Sequence, residues 1–255
     1  MTTPKEREQT RSRIAESCRR LILSQRMVEL CEQEAAPKQE EFLAYVLEQE
    51  IRRREQNQKA RQLGRAGFPV LKSLEDYDYG VIRFPPSLTR DDLLSGGFIA
   101  EKKNLILYGP VGIGKTHLAI AMGAKACGMG MNVRFYTVTE LVLKLGDAHR
   151  AGTFERLIRE LKKLDLLILD EWGYVPVDKE GSQLLFRVVA DSYESKSLIL
   201  TTNLEFSKWG SIFTDEQMAA AMIDRLIHHG HLLIFEGQSY GMTHALMRQT
   251  AKVKP

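Results

Sequence analysis

Residues 109–116 read Gly109-Pro110-Val111-Gly112-Ile113-Gly114-Lys115-Thr116. The pattern Gly-x-x-x-x-Gly-Lys-Thr works only where a strand ends and a helix begins. Both flanks are present: an apolar run, Asn104 to Tyr108, precedes it and a helix-compatible run, His117 to Cys127, follows. Glycines let the backbone wrap closely around a polyphosphate and turn its N–H groups inward. The helix starting near Gly114 adds unpaired N–H groups and the positive end of its dipole. Lys115 is then expected to reach the β- and γ-phosphates and Thr116 to ligate Mg²⁺. The eight loop residues and His117 are candidate nucleotide-binding residues. An ordinary glycine-rich turn is the alternative, but it leaves the flanks unexplained.

Beyond the loop the chain alternates apolar runs with helical patterns. Strands are expected at 104–108, 133–137, 166–169, 198–202 and 232–235. Helices are expected at 117–127, at 139–145 continuing into 153–161, at 181–193 and at 215–228. The strands are apolar throughout rather than alternating, which fits a five-stranded parallel sheet covered on both faces. The fold class is therefore α/β, a P-loop NTPase core, with ligands at the carboxyl ends of the strands.

Two strand ends carry further chemistry. Asp165-Leu166-Leu167-Ile168-Leu169-Asp170-Glu171 delivers a carboxylate pair. Asp170 suits Mg²⁺ coordination beside Thr116, and Glu171 suits activation of an attacking water. Ser197 to Thr202 delivers Asn203, a candidate sensor of the γ-phosphate or, alternatively, a turn cap. Arg225, in Asp224-Arg225-Leu226, is a candidate finger for a neighbouring subunit's nucleotide, with a surface Asp–Arg pair as the alternative. Phe98 and Ile99 are candidates for an adenine-pocket wall, and Leu94-Ser95-Gly96-Gly97 reads as a glycine-capped helix end. His228, His229 and His231 lack partners at metal-site spacing. Trp172, Trp209 and Phe213 are expected to pack loops or face partners.

Residues 1–65 are different. They hold no glycine before Gly64 and read as a small helical domain, with Met1 to Arg13 charged and partly disordered. Pro37 separates a first helix from a second, in which Phe42, Leu43, Tyr45 and Val46 are expected to be buried. Charge alternates in blocks: basic from Arg7 to Arg26, acidic from Glu29 to Glu50, then basic again through Arg52, Arg53, Arg54, Lys59, Arg61 and Arg65. The last block is the candidate DNA contact, because a basic helix can track a phosphate backbone. A solvated helical face is the alternative. Residues 66–103 form a connector docking on the core through Phe68, Leu71, Leu74, Tyr77, Tyr79 and Phe84. The ATPase domain spans 104–245 and a tail 246–255. The stretch from Gly237 onward is too short for a large helical lid. No apolar run approaches the roughly 18 residues of a membrane span. Three scattered cysteines and the polar start point to a reducing, cytoplasmic setting. The net charge of +3 is too mild to indicate nucleic acid by itself.

Taken together, these elements resemble the AAA+ ATPases of the initiator and helicase-loader group. More closely, they resemble the IstB-type transposition helper ATPases of IS21-family insertion sequences. The motifs concerned are Phe68-Pro69, Leu74-Glu75-Asp76-Tyr77-Asp78, Gly109–Leu118, Leu166–Gly173, Thr201–Leu204 with Trp209-Gly210, Asp224–His229, and Gly237-Gln238-Ser239-Tyr240. The resemblance implies Walker A at Gly109–Thr116, Walker B at Asp170 and Glu171, sensor 1 at Asn203 and a trans finger at Arg225. It further implies ATP and Mg²⁺ as cofactors and largely sequence-nonspecific binding and bending of double-stranded DNA. A cognate transposase is the implied partner, along with ATP- and DNA-promoted self-association into a ring or spiral. A replicative helicase loader is the related alternative. Two departures stand out: Met1 to about Leu30 matches the family's usual start poorly, and Gly241 stands where the family has arginine, with Arg248 as a substitute candidate.

Overall fold

The structure, a computed structural model, describes residues 3–75, 77–174, 177–211, 213 and 215–237. The chain divides into two compact units, Met1–Arg61 and Gln62–Pro255.

The first unit is helical. Helix α1, Pro4–Leu21, starts on a capping box in which Thr3 and Glu6 satisfy each other's backbone N–H, with proline at the first helical position. This local chemistry orders the charged start that composition alone suggested would be partly disordered. Helix α2 spans Arg26–Glu34 and α3 spans Pro37–Ala66, running past the division between the units. The buried side of α3 carries Glu40, Ala44, Leu47 and Ile51, packed with Ile14, Cys18, Leu21 and Cys31. Phe42, at 69% exposure, Tyr45 and Val46 face outward, contrary to expectation. The buried stripe begins with a carboxylate, so a search for apolar spacing misplaces it.

The Glu40 carboxylate is fully buried and takes hydrogen bonds from Arg7 Nε at 3.0 Å and Arg11 Nε at 2.9 Å. Burial pushes its pKa up, but the two guanidinium groups outweigh burial and hold it below the ordinary carboxylate value. Arg13 pairs with Glu48 and Arg20 with Glu55. Much of the first basic block is thus neutralised by the acidic one within this unit.

The second unit is a three-layer α/β fold. Its elements are β1 (Ile82–Arg83), α4 (Arg90–Ser95), α5 (Gly97–Ala100), β2 (Asn104–Tyr108), α6 (Lys115–Gly128), β3 (Val133–Thr137), α7 (Val138–Arg150), α8 (Phe154–Lys162), β4 (Leu166–Trp172), α9 (Lys179–Ser192), β5 (Ser197–Thr202), α10 (Glu216–His228) and β6 (Gly230–Phe235). Among the described residues the strands form one six-stranded sheet in the order β1-β6-β2-β5-β4-β3. The five expected parallel strands are present, and β1 adds a short antiparallel edge against β6. β1 lies in the connector, where two residues are too few to show a strand periodicity.

Alternation within the apolar strands divides the core. Leu105, Leu107, Ile168, Ile199 and Leu233 pack with α6. Ile106, Leu167, Leu169, Leu198 and Leu200 pack with α7, α9 and α10. Connector residues Phe68, Leu74, Tyr77, Tyr79 and Phe84 join the α6 side. Helix α4 ends on Gly96 in the left-handed region, the expected glycine cap. The helical stretch expected at 139–145 continuing into 153–161 is two helices, α7 and α8, and the chain turns between them at Ala151-Gly152 with Gly152 at φ 66°. The expected tail 246–255, the Gln238-Ser239-Tyr240 motif, Gly241 and Arg248 lie outside the described residues.

Candidate nucleotide site

β2 ends at Tyr108 and α6 begins at Lys115, so the phosphate loop leaves the carboxyl edge of the sheet. Gly109 lies so close to β6 that a Cβ there would sit 2.5 Å from the Phe235 carbonyl oxygen. Gly114 takes φ 105°, and a Cβ on it would meet the Tyr77 hydroxyl at 3.1 Å. Only glycine suits both positions. Within the loop, Val111 is exposed while Ile113 is buried.

Lys115 is buried, and its Nζ donates to the carbonyls of Gly109 at 2.7 Å and Pro110 at 2.6 Å. Burial pushes its pKa down to about 8, with Asp170's charge acting the other way. The ammonium therefore sits inside the curl of the loop, held by ligands that an incoming phosphate can replace.

The order β2-β5-β4 places the ends of β2 and β4 on either side of β5. Thr116 Oγ1 donates to Asp170 Oδ1 at 2.9 Å. Asp170 is buried, and the next residue, Glu171, is exposed. Glu171 adopts φ 62°, uncommon for a residue with a side chain. The β4–β5 register shifts here, between Leu169 and Trp172. Thr201 lies beside both acids: its hydroxyl donates to Asp170 Oδ1 and accepts the Glu171 N–H at 3.0 Å. Asn203 is exposed immediately beyond β5. The chain thus brings Lys115, Thr116, Asp170, Glu171 and Asn203 to one edge of the sheet.

Other candidates lie elsewhere. Phe98 and Ile99 are buried in the core, and the Phe98 carbonyl accepts from Ser197 Oγ at the amino end of β5. That is the edge opposite the loop, so an adenine-wall role does not fit them. Their nearness to β2 in sequence is nearness to its wrong end. Arg225 lies on α10, and the next residue of that helix, Leu226, accepts at its carbonyl from the Asn104 side-chain amide at the amino end of β2. Its guanidinium bonds the Ala221 carbonyl at 2.9 Å and lies over the Phe186 ring, 5.2 Å from its centroid. This placement is away from the chain's own loop.

The six basic candidates on α3 are all exposed, but they do not share one side. Helical periodicity sets Arg54 and Arg61 on one side and Arg52 and Lys59 on another. Arg54 pairs with Glu50 at 2.8 Å, and Arg61 Nε bonds the Asn57 carbonyl at 3.2 Å. Arg65, past the division between units, offers its carbonyl to Arg134.

His228 contacts the Tyr193 hydroxyl, His229 pairs with Glu194 at 3.0 Å, and buried His231 bonds Ser87. Among the described residues no group of three or more His, Cys, Asp or Glu could hold a metal. Trp172, Trp209 and Phe213 form one buried cluster, with Trp172 centroids 5.2 Å from Trp209 and 5.7 Å from Phe213.

Three contributors escaped the sequence reading. The Tyr77 hydroxyl donates to the Gly114 carbonyl at 3.1 Å, and its ring lies 5.1 Å from that of His117. His117 Nε2 in turn lies 2.7 Å from the Ser73 carbonyl oxygen. Val81 and Ile113 flank Gly237, 3.9 Å and 3.7 Å from where a Cβ on it would lie. Thr201 is the third. Tyr77 and Thr201 fall in motifs noted above, but nothing in those motifs points to these contacts; Val81 falls in none.

Comparison with known proteins agrees with this arrangement. The chain is 40% identical over 203 residues to a protein of insertion sequence IS21 from Pseudomonas aeruginosa named for ATP binding, covering 78% of this chain and 76% of that one. It is 34% identical over 235 residues to the corresponding protein of IS5376 from Geobacillus stearothermophilus, covering 90% and 94%. Among solved structures, the DnaC helicase loader superposes with a TM-score of 0.52 at 22% identity, covering 64% of this chain and 96% of that one. DnaI superposes at 0.50 and 19%, covering 65% and 91%. These two likenesses show a shared fold. The model of the IstB-like ATP binding protein family matches residues 22–247, and the chain belongs to that family.

Proposed function

We propose that the chain is a Mg²⁺-dependent ATPase that works on double-stranded DNA as a helper of transposition. The observation that carries the ATPase part is the contact between Thr116 and Asp170 with Glu171 exposed beside it. A hydroxyl and a carboxylate at a phosphate loop are hard oxygen donors suited to Mg²⁺, which takes few protein ligands and completes its shell with phosphate and water. The residues present therefore fit the ion, and Thr116 and Asp170 would hold it. Bound there, Mg²⁺ would neutralise charge on the transferring phosphoryl group.

Lys115 exchanges its two loop carbonyls for phosphate oxygens. The N–H groups at the start of α6 face the same anion. Glu171 accepts a proton from the attacking water, and Asn203 holds that water or the γ-phosphate in line. Arg225, directed away from its own loop, completes the site of a neighbouring copy in a ring or spiral assembly.

The DNA part is supported by the insertion-sequence relatives and by the exposed cations of α3. Those cations bind phosphates without reading bases, and bending the duplex adds further contacts. The cognate transposase is then recruited to the bent DNA, and hydrolysis resets the assembly. The helicase-loader alternative has only the fold likeness behind it.

Electron microscopy of the chain with duplex DNA and a slowly hydrolysed ATP analogue tests this reading. An ordered oligomer on bent DNA is the expected outcome. Monomers on straight DNA at saturating nucleotide refute it. Charge reversal on α3 tests the interface: replacing Arg54 and Arg61, or Arg52 and Lys59, by glutamate should lower the salt slope of binding by about 0.9 per lost phosphate contact in the pair that faces DNA. An unchanged slope in both pairs removes α3 from the interface.

A further inference from the structure

We propose that Thr201 is a positioning residue for both acids, setting Glu171 for water activation while it anchors Asp170. This rests on the ATPase reading above. Strands β4 and β5 pair residue by residue up to Leu169 opposite Leu200, and pairing resumes with Trp172 opposite Thr202. Two residues of β4, Asp170 and Glu171, therefore stand against one residue of β5, Thr201. That is the count of a β-bulge, a device that redirects a side chain at the cost of a ladder bond.

The Thr201 hydroxyl restores what the ladder loses. It has one hydrogen, which goes to Asp170 Oδ1, and a lone pair, which takes the Glu171 N–H at 3.0 Å. The same Asp170 oxygen receives Thr116 at 2.9 Å. One hydroxyl thus holds Asp170 in the buried layer and keeps Glu171 in its left-handed conformation on the exposed rim.

Valine has the shape and strand preference of threonine but neither donor nor acceptor. In Thr201→Val the Glu171 N–H loses its partner and the bulge is free to relax. Thr201→Ser keeps the hydroxyl. Lys115 and the loop N–H groups are untouched in both, so nucleotide binding should persist while turnover separates the variants.

The test measures ATP turnover, nucleotide affinity by titration with a fluorescent analogue, and hydrogen exchange of the Glu171 amide by NMR on the full chain. Thr201→Val should lose about 10- to 100-fold in kcat, the range for residues that orient a metal site from behind. Its nucleotide affinity should stay near wild type and its Glu171 amide should exchange faster, with Thr201→Ser restoring both kcat and protection. Thr201→Ala should behave like Thr201→Val and serves if valine prevents folding. Full turnover in Thr201→Val, or an equally protected Glu171 amide, overturns the proposal. A wild-type chain that binds ATP without hydrolysing it defeats the ATPase reading instead, and amide exchange then still decides whether Thr201 holds the bulge.

Discussion

Thr116 Oγ1 donates to Asp170 Oδ1 across 2.9 Å, although the two stand 54 positions apart in the chain and β5 separates β2 from β4 in the sheet. The bond joins the first helical turn after the phosphate loop to the end of β4. It also sets neighbouring roles apart: Asp170 lies in the buried layer, and Glu171 stands on the rim where water can reach it.

Substitution of the two acids should therefore have distinct effects. Glu171→Gln should retain ATP binding and lose about 10²- to 10⁴-fold in turnover, the usual contribution of a positioned base. Asp170→Asn should in addition raise the Mg²⁺ concentration needed for half-maximal activity. Steady-state hydrolysis at varied Mg²⁺, with nucleotide binding measured in parallel, checks both. Normal turnover in Glu171→Gln removes it as the base.

Lys115 makes nucleotide binding depend on pH. In the free chain burial lowers its pKa from the ordinary 10.5 to about 8. A bound polyphosphate favours the ammonium and draws the pKa back up. Binding thus takes up a proton once the pH passes about 8, and affinity falls as pH rises further, by at most about tenfold per unit. Calorimetry in buffers of different ionisation enthalpy measures the uptake. Proton release, or no change in affinity between pH 7 and 9.5, contradicts the assignment.

Acid should loosen the helical unit through Glu40. Its folded pKa is depressed by Arg7 and Arg11 against the opposing pull of burial. The stabilisation is therefore fully present above the ordinary value of 4.5 and is lost as pH falls through the lower folded value. Glu40→Gln should lower stability at neutral pH and flatten this acid dependence. Hydrogen exchange of α1 and α3 amides in the full chain at pH 7 and pH 4 follows the effect. Equal protection in the variant and the parent at pH 7 counts against it.

Tyr77 braces the loop from the connector. Tyr77→Phe keeps the ring against His117 and deletes only the bond to the Gly114 carbonyl. It should cost about 1 kcal/mol of stability in the free chain and weaken nucleotide binding by a comparable factor. Thermal melts with and without nucleotide separate the two contributions. Identical melting and binding leave the hydroxyl without a role.

The phosphate loop, the five parallel strands and the acidic end of β4 were legible because each depends on neighbours in sequence. An apolar strand, a glycine turn and a helix start form one local unit whose chemistry recurs wherever a polyphosphate is bound. The buried face of α3 was misread for the opposite reason. Its register is set by Glu40, a charge that is buried only because Arg7 and Arg11 meet it from another helix. Phe98 and Ile99 were assigned to the nucleotide by closeness in sequence to β2, and they lie at the strand's other end.

Sequence by itself determined the ligand chemistry and the layered α/β core, since Lys115, Thr116, Asp170 and Glu171 sit in patterns that few other structures can use. Tertiary structure alone decided which distant groups complete them. Thr201 faces both acids because two residues of β4 stand against one of β5, and Tyr77 reaches Gly114 because the connector folds back on α6. Such contacts depend on strand register and on the packing of segments far apart in the chain. The phosphate loop remains the centre of the molecule, but its geometry is held by residues far from it in the chain.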